Sequence, residues 1–200
     1  MTATVRSILV LALVGLVTAW SSAHPTPSSV PIRWELNFTP GELRLYYDEV
    51  DQRSYWYFTY MVTNRTGAEQ IWAPRLTLFT DAGQIINSGS NVPTRIVDDL
   101  LDVLGNPLLL NQFEVIGPIL QGREHAKEGL AVWPADRLDL TEVKLFISGL
   151  SGETARVVHP KTGDEVLLRK TLERTYHVPG NAGHRGSRPL DFQEQRWIFR

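Results

Sequence analysis

The stretch 53–83 constrains the fold more than any other part of the chain, because two runs within it alternate between faces as β-strands do. Between residues 55 and 63, every second position carries a large apolar side chain: Trp56, Phe58, Tyr60 and Val62. Residues 71–79 resume the alternation after a turn at Thr66-Gly67. We therefore predict a hairpin of two long strands whose aromatic face lies in the core of a β-sheet domain.

Shorter runs of the same kind flank this hairpin and predict the remaining strands. They cover 32–38, 42–50, 84–87, 129–133, 143–148, 154–159, 165–178 and 192–199. Turn residues such as Thr39-Pro40-Gly41 and Lys161-Thr162-Gly163 separate several of these runs. So many short strands in one chain favour a mainly β fold with two antiparallel sheets packed as a β-sandwich.

One segment, 93–120, breaks the strand pattern and predicts a helical insertion at about 94–120. Its apolar residues recur at helical spacing between 94 and 104: Ile96, Val97, Leu100, Leu101 and Leu104. Gly105-Asn106-Pro107 then ends the helix, because glycine favours a helix C-terminus and proline cannot continue a helix. A second, shorter helix is expected at 112–120.

The composition excludes several kinds of chemistry. The chain has no cysteine, which excludes disulfides, Cys-ligated zinc, iron–sulfur clusters, a thiol nucleophile and a lipoprotein anchor. Its 20 basic and 22 acidic residues give a formal net charge of −2 at pH 7. A general nucleic-acid binder usually carries a basic excess, so nucleic acid is not an expected partner.

Residues 1–23 have the anatomy of a secretory signal peptide. Arg6 precedes an apolar run at 8–20 that is shorter than the roughly 20 residues a membrane-spanning helix needs. Small residues at Ser21 and Ala23 predict cleavage after Ala23 and export to the periplasm or the medium. The alternative is an uncleaved N-terminal anchor. No later segment is apolar enough to predict a membrane crossing.

The mature chain is predicted to contain one domain. Residues 24–31, with the sequence HPTPSSVP, read as a linker rich in proline and serine. Residues 32–200 form the β-sandwich domain, which contains the helical insertion at 93–120. The domain ends in a hairpin and tail at 154–200.

Short motifs within 55–150 resemble those of secreted bacterial immunoglobulin-like domains of unknown function. They are the strand end Val62-Thr63-Asn64, the turn Asp81-Ala82-Gly83 and the strand GLAVWP at 129–134. The resemblance implies an immunoglobulin-like fold and an extracytoplasmic setting, and it brings no catalytic residue with it. The chain departs from the pattern in its helix at 94–104 and in its long tail after Gly152.

No catalytic or metal-binding motif is visible, so we predict no cofactor and a non-enzymatic protein. Ser151 lies in GLSGE, which begins like a nucleophile elbow, but Glu153 replaces the last glycine and strands lie on both sides. The five histidines lack the spacing of metal motifs. The alternative is a secreted metal-binding protein or sandwich-fold enzyme, with a copper site built on His24 as the mature N-terminus.

Two groups of side chains are candidates for a binding surface. Tyr55, Tyr57 and Trp72 could stack on a sugar or peptide, or could instead form the second face of a strand that the helix at 94–104 covers. The second group lies in and beside the Gly-rich loop at 179–189: His177, His184, Arg185 and Arg188.

The whole C-terminal part, 169–200, is locally basic. It carries Arg169, Lys170, Arg174, Arg185, Arg188, Arg196 and Arg200 against Glu173, Asp191 and Glu194. Such a surface could meet an anionic partner, for example a cell-wall polymer or phospholipid headgroups. We therefore expect an exported binding or structural module whose partner is an envelope component, either a protein or a polysaccharide.

Overall fold

The structure, a computed structural model, describes residues 24–200, so the predicted signal peptide lies outside the described residues. The described chain is mainly β, as predicted, and contains one α-helix, α1 (Thr94–Leu104). Its strands are β1 (Asn37–Asp48), β2 (Arg53–Asn64), β3 (Gln70–Trp72), β4 (Arg75–Thr80), β5 (Ile85–Asn87), β6 (Leu109–Leu110), β7 (Gly117–Ile119), β8 (Gly122–Pro134), β9 (Glu142–Ser148), β10 (Thr154–Val158), β11 (Glu165–His177) and β12 (Asp191–Phe199). A short 3₁₀ helix, Ala182–Arg185, lies between the last two strands.

The strands form two larger sheets and one small sheet. The four-stranded sheet has the order β1-β2-β8-β6 and is antiparallel except for the β6–β8 pair. The six-stranded sheet has the order β10-β11-β9-β4-β5, and β12 also pairs with β11. The inward sides of these two sheets share one core, so the domain is built in layers.

This main core follows the period-two alternation of the strands. The four-stranded sheet contributes Leu43, Leu45, Trp56, Phe58, Tyr60, Val62, Ala131 and Trp133, and the six-stranded sheet contributes Leu76, Leu78, Val143, Leu145, Ile147, Leu172 and Tyr176. Within each strand these positions are two residues apart, so they point to the same side. Burying one such side chain stabilises the fold by about 2 kcal/mol before the cost of ordering the chain.

The helix α1 covers the outer face of the four-stranded sheet and encloses a second, smaller core. The helix contributes Ile96, Val97 and Leu100, and the sheet contributes Tyr55, Tyr57, Leu130 and Val132. Gly105 ends the helix in the left-handed conformation, with its N–H bonded to the carbonyl of Leu101 at 3.0 Å. The centre of the four-stranded sheet is therefore buried on both faces, which explains why β2 is aromatic at every position from Tyr55 to Phe58.

The structure corrects the hairpin predicted at 53–83. β2 pairs with β1 and β8, and the run at 71–79 is divided between β3 and β4. Ala73-Pro74 separates these two strands, and proline has no N–H to donate to a sheet ladder. The chain crosses here to the six-stranded sheet, where β4 pairs with β9 and β5. The two predicted strands thus face each other across the core instead of lying side by side.

Of the predicted strand 32–38, only the last two residues are strand, because β1 begins at Asn37 and Glu35 forms an isolated bridge with Ser151. β1 then continues without a break into the second predicted strand, 42–50, and ends at Asp48. The predicted turn at Thr39-Pro40-Gly41 is instead a bulge, where the register with β2 shifts between Pro40 and Leu43. A bulge bends a strand without ending it. Proline and glycine occur at bulges as well as in turns, so the sequence pattern does not distinguish the two.

The second helix predicted at 112–120 does not form. The side-chain oxygen of Asn111 accepts hydrogen bonds from the two backbone N–H groups that follow Gln112, which produces a single turn. Gly117, with φ 141°, and Pro118 then begin β7. Proline cannot follow in a helix without losing a backbone hydrogen bond, so the chain continues as a strand.

The segment 24–31, predicted as a linker, is fixed to the six-stranded sheet by a buried ionic cluster. The Nζ atom of Lys170 donates to Glu153 Oε2 at 3.0 Å and to the carbonyl of Ser28 at 2.9 Å. Glu35 Oε2 lies 2.9 Å from the same Nζ, and the Ser28 N–H donates to Glu153 Oε1 at 2.9 Å. Burial opposes the charge of Lys170, but these two carboxylates raise its pKa above the ordinary value.

Replacing Lys170 with methionine should lower the free energy of unfolding by about 3–5 kcal/mol, because it leaves the buried Glu153 carboxylate without its counter-ion. Urea unfolding followed by tryptophan fluorescence measures the change. The double variant Lys170→Met/Glu153→Gln should recover part of the loss. Lys161→Met, which removes an exposed lysine in a turn, should change stability by less than about 0.5 kcal/mol. Equal losses in both lysine variants would contradict this role of the cluster.

A second ionic cluster ties α1 to the β1–β2 turn. Arg95 donates to both carboxylate oxygens of Asp48, at 3.0 and 2.7 Å, and also to Asp51 at 2.8 Å and Asp99 at 2.9 Å. Asp48 is buried, 2% exposed. The hydrogen bonds from Arg95 outweigh the effect of burial and lower the pKa of Asp48 to about 2.

Asp48 should make stability depend on acid pH. Its pKa is below its ordinary 3.8 in the folded state, so the unfolded chain takes up the proton first as the pH falls. Its contribution is complete above about pH 4 and is lost between about pH 4 and pH 2. We expect Asp48→Asn to unfold at lower urea at neutral pH and to lose less stability across that acid range. Asp98→Asn, at an exposed position on α1, should have the same stability and the same acid dependence as the wild type.

Candidate functional site

The aromatic rings predicted as a stacking platform are buried. Tyr55 and Trp72 are both 0% exposed, and Tyr57 lies beside Tyr55 under α1. Trp72 is in the main core, edge-on to the Tyr60 ring with 6.3 Å between centroids. Of the two predicted roles, Tyr55 and Tyr57 thus have the second, the strand face that α1 covers, whereas Trp72 lies in the main core. No ring of the three presents a face on which a sugar or peptide could stack.

Three of the other predicted residues are engaged in hydrogen bonds at the C-terminal loop. Arg185 donates to Asp191 Oδ1 at 2.9 Å and to a backbone carbonyl in the loop at 2.9 Å. Arg188 donates to the carbonyl of Arg185 at 3.0 Å, and His177 Nδ1 lies 3.1 Å from the carbonyl of Thr141. Arg185 therefore closes the loop internally and has little freedom to bind a ligand.

His184 is exposed and lines a cleft between this loop and the end of the β1–β2 hairpin. The cleft has a volume of about 710 Å³, and its lining also includes Tyr46, Tyr47 and Glu49. His177 is not among the lining residues. Of the two predicted histidines, only His184 therefore lines this cleft.

The outer face of the six-stranded sheet carries rows of polar and charged side chains. In β4, β9 and β11 the inward positions belong to the main core, so the residues between them point outward. Strand register aligns Arg75, Ser148, Thr171 and Ile198 in one row, and Asn87, Thr77, Phe146, Glu173 and Arg196 in the next. Within residues 24–200, no helix covers this face as α1 covers the other sheet.

A groove of about 350 Å³ crosses this face and has three arginines in its lining: Arg75, Arg169 and Arg200. We call it the arginine groove. Its other lining residues are Thr77, Ile85, Asn87, Phe146, Ser148, Leu167 and Thr171. Among the described residues, none of the three guanidinium groups has a carboxylate within salt-bridge distance.

Neighbouring cations on the same face differ in this respect. Arg196 lies 2.9 Å from Glu173 Oε1, and Lys144 lies 3.6 Å from the same atom. Glu173 thus pairs with the cations in the middle of the face, whereas the three arginines that line the groove form no such ion pair among the described residues. An array of unpaired guanidinium groups is a site for phosphate or carboxylate groups, which they can bind in bidentate fashion.

Arg200 shows how the groove holds a cation in place. Its guanidinium carbon lies 4.1 Å from the centroid of the Phe146 ring, which supports it by a cation–π contact. Partial desolvation lowers the pKa of Arg200, with Glu173 opposing this shift, but an arginine remains charged near neutral pH. A fixed and partly desolvated cation interacts more strongly with an anion than a fully hydrated one does.

Sequence reasoning found part of this groove. Arg169 and Arg200 belong to the C-terminal region that was recognised as basic, whereas Lys170 and Arg174 from the same region are buried. Arg75 and Phe146 were missed, because each lies in a different strand far away in sequence. The available signal was the alternation of β4, which places Arg75 on the side opposite to Leu76.

Within the described chain, no group of three or more histidine, aspartate or glutamate side chains is arranged to hold a metal ion. His24 is exposed at the start of the described residues. The described residues also contain no helix that is long and apolar enough to cross a membrane. Comparison with protein-family models, with curated proteins and with solved structures finds no match to this chain.

Proposed function

We propose that this protein is an exported, non-enzymatic binding module that holds an anionic component of the cell envelope in the arginine groove. The observation that carries the proposal is the concentration of Arg75, Arg169 and Arg200 around one concavity, without a carboxylate partner among residues 24–200. The chain as a whole has a net charge of −2, so this local excess does not follow from a generally basic composition.

The chemistry of the lining supports binding more than catalysis. No histidine, aspartate or glutamate lines the groove, so no general base is at hand there. Hydroxyl and amide groups do line it, from Thr77, Asn87, Ser148 and Thr171, and they can bind the uncharged oxygens of a ligand. The groove therefore has the groups needed to hold and orient an anion.

We also propose that the fold is an immunoglobulin-like β-sandwich. Two mostly antiparallel sheets that share a core through alternating residues support this proposal. Export is proposed from the signal-like composition of residues 1–23. The arginine groove lies on an ordered sheet of this fold, with lining residues from β4, β5, β9 and β11.

Replacing Arg75, Arg169 or Arg200 with glutamine should each weaken the binding of small multivalent anions by about tenfold, since a hydrogen bond to a charged group contributes about 1.5 kcal/mol or more. Isothermal titration calorimetry with tripolyphosphate and with citrate measures the affinity. The two probes distinguish a preference for phosphate from one for carboxylate. Binding should weaken as salt is added, because the site is open to solvent.

Arg156→Gln is the matched control. Arg156 lies on β10 of the same sheet, is highly exposed, and is already paired with Glu165 at 2.9 Å. It should leave the affinity unchanged although it removes the same charge. If neither anion binds at low salt, or if the control weakens binding as much as the groove variants do, the arginine groove is not an anion site.

A further inference from the structure

A second concavity adjoins the arginine groove and shares two lining residues with it, Arg75 and Asn87. Its volume is about 340 Å³, and it is also lined by residues of the turn at 111–116. The lining is mixed: Tyr60, Pro74, Leu76, Phe113 and Ile116 contribute apolar or aromatic surface, and Ser88 and Gln112 contribute polar groups beside Arg75 and Asn87. Two of the apolar side chains, Phe113 and Ile116, are exposed. We call this concavity the apolar cleft after these two exposed side chains.

The turn beside the apolar cleft is held in place at several points. Val115 is 0% exposed and belongs to the main core. The side chain of Gln112 accepts a hydrogen bond from Ser88 Oγ at 3.0 Å, which ties the turn to the loop after β5. On this fixed base Phe113 is 72% exposed and Ile116 is 49% exposed. These two side chains give the cleft exposed apolar surface that an alkyl group could cover.

We propose that the ligand of the arginine groove is an anionic amphiphile, whose acidic headgroup binds the arginines and whose alkyl chain lies in the apolar cleft. This inference rests on the proposed function and narrows its ligand. Arg75 and Asn87 line both concavities, so the headgroup and the start of the chain meet at these residues. The chain then contacts Phe113 and Ile116, which removes their apolar surface from water.

An anionic amphiphile fits both concavities, whereas a uniformly charged polymer fits only the arginine groove. A polymer that continued from the arginine groove past Arg75 would bring charged groups against Phe113 and Ile116, where Asn87, Ser88 and Gln112 offer only uncharged polar groups and no described cation other than Arg75 lines the cleft. Placing a charge against apolar surface without a partner is costly. A single acidic head followed by a hydrocarbon chain satisfies both sites.

The test is a series of alkyl phosphates from ethyl to dodecyl phosphate, titrated as monomers by calorimetry. The affinity should rise about threefold to fourfold with each added methylene until the chain fills the apolar cleft. Phe113→Ser and Ile116→Ser should reduce this gain while leaving tripolyphosphate binding unchanged. Val103→Ser, at a 71% exposed position on α1 that does not line the cleft, is the matched control and should retain the gain.

The outcomes separate this inference from the proposed function. If tripolyphosphate binds through the arginines but affinity does not change with chain length, the amphiphile is overturned and the anion site stands. If no anion binds, both are overturned. Sedimentation with phosphatidylglycerol vesicles, compared with phosphatidylcholine vesicles, then shows whether the bound amphiphile is a lipid in a bilayer or a free molecule. Specific sedimentation indicates lipid in a bilayer, and binding of dodecyl phosphate without sedimentation indicates a free amphiphile.

Discussion

Burial of the four-stranded sheet on both faces is the constraint on which the rest of the structure depends. Along β2, one set of alternate side chains lies in the main core and the other set lies under α1. The helix is therefore committed to the four-stranded sheet and leaves the outer face of the six-stranded sheet without a helix over it among residues 24–200. That face carries the polar rows and the arginine groove.

Two populations stand out among the cations of residues 24–200, while others, such as Arg33 and Arg123, belong to neither. Lys170 and Arg95 each contact more than one carboxylate, and they join separate parts of the chain. Arg75, Arg169 and Arg200 have no such partner among the described residues and collect around one groove. Because acidic residues compensate the first population, the net charge of the chain does not reveal the second. The position of each carboxylate decides which cations are available to a ligand.

The local sequence pattern predicted the positions of the helix and of most strands well, and it predicted less well which strands pair with one another. The helical spacing from Ile96 to Leu104 identified α1 with its bounds, and alternation identified most strands. The partners of β2 were not predictable in this way, because pairing depends on residues far apart in sequence. Pro74 indicates a break between two strands, but it does not predict the sheet to which the chain crosses. Likewise, the groove depends on the register that aligns Arg75 with Ser148 and Thr171, and no local sequence pattern predicts this register.

The position of β2 between β1 and β8 has a consequence for the folding of the chain. The pairing with β1 closes a short turn, whereas the pairing of Trp56 with Trp133 closes a loop that contains five other strands and the helix. Closing a long loop costs entropy before its contacts form, which slows folding. The aromatic face of β2 is therefore assembled late, and an unfolded chain exposes it until β8 pairs with β2. This places the kinetic risk of aggregation in the same strand that gives the folded domain its core.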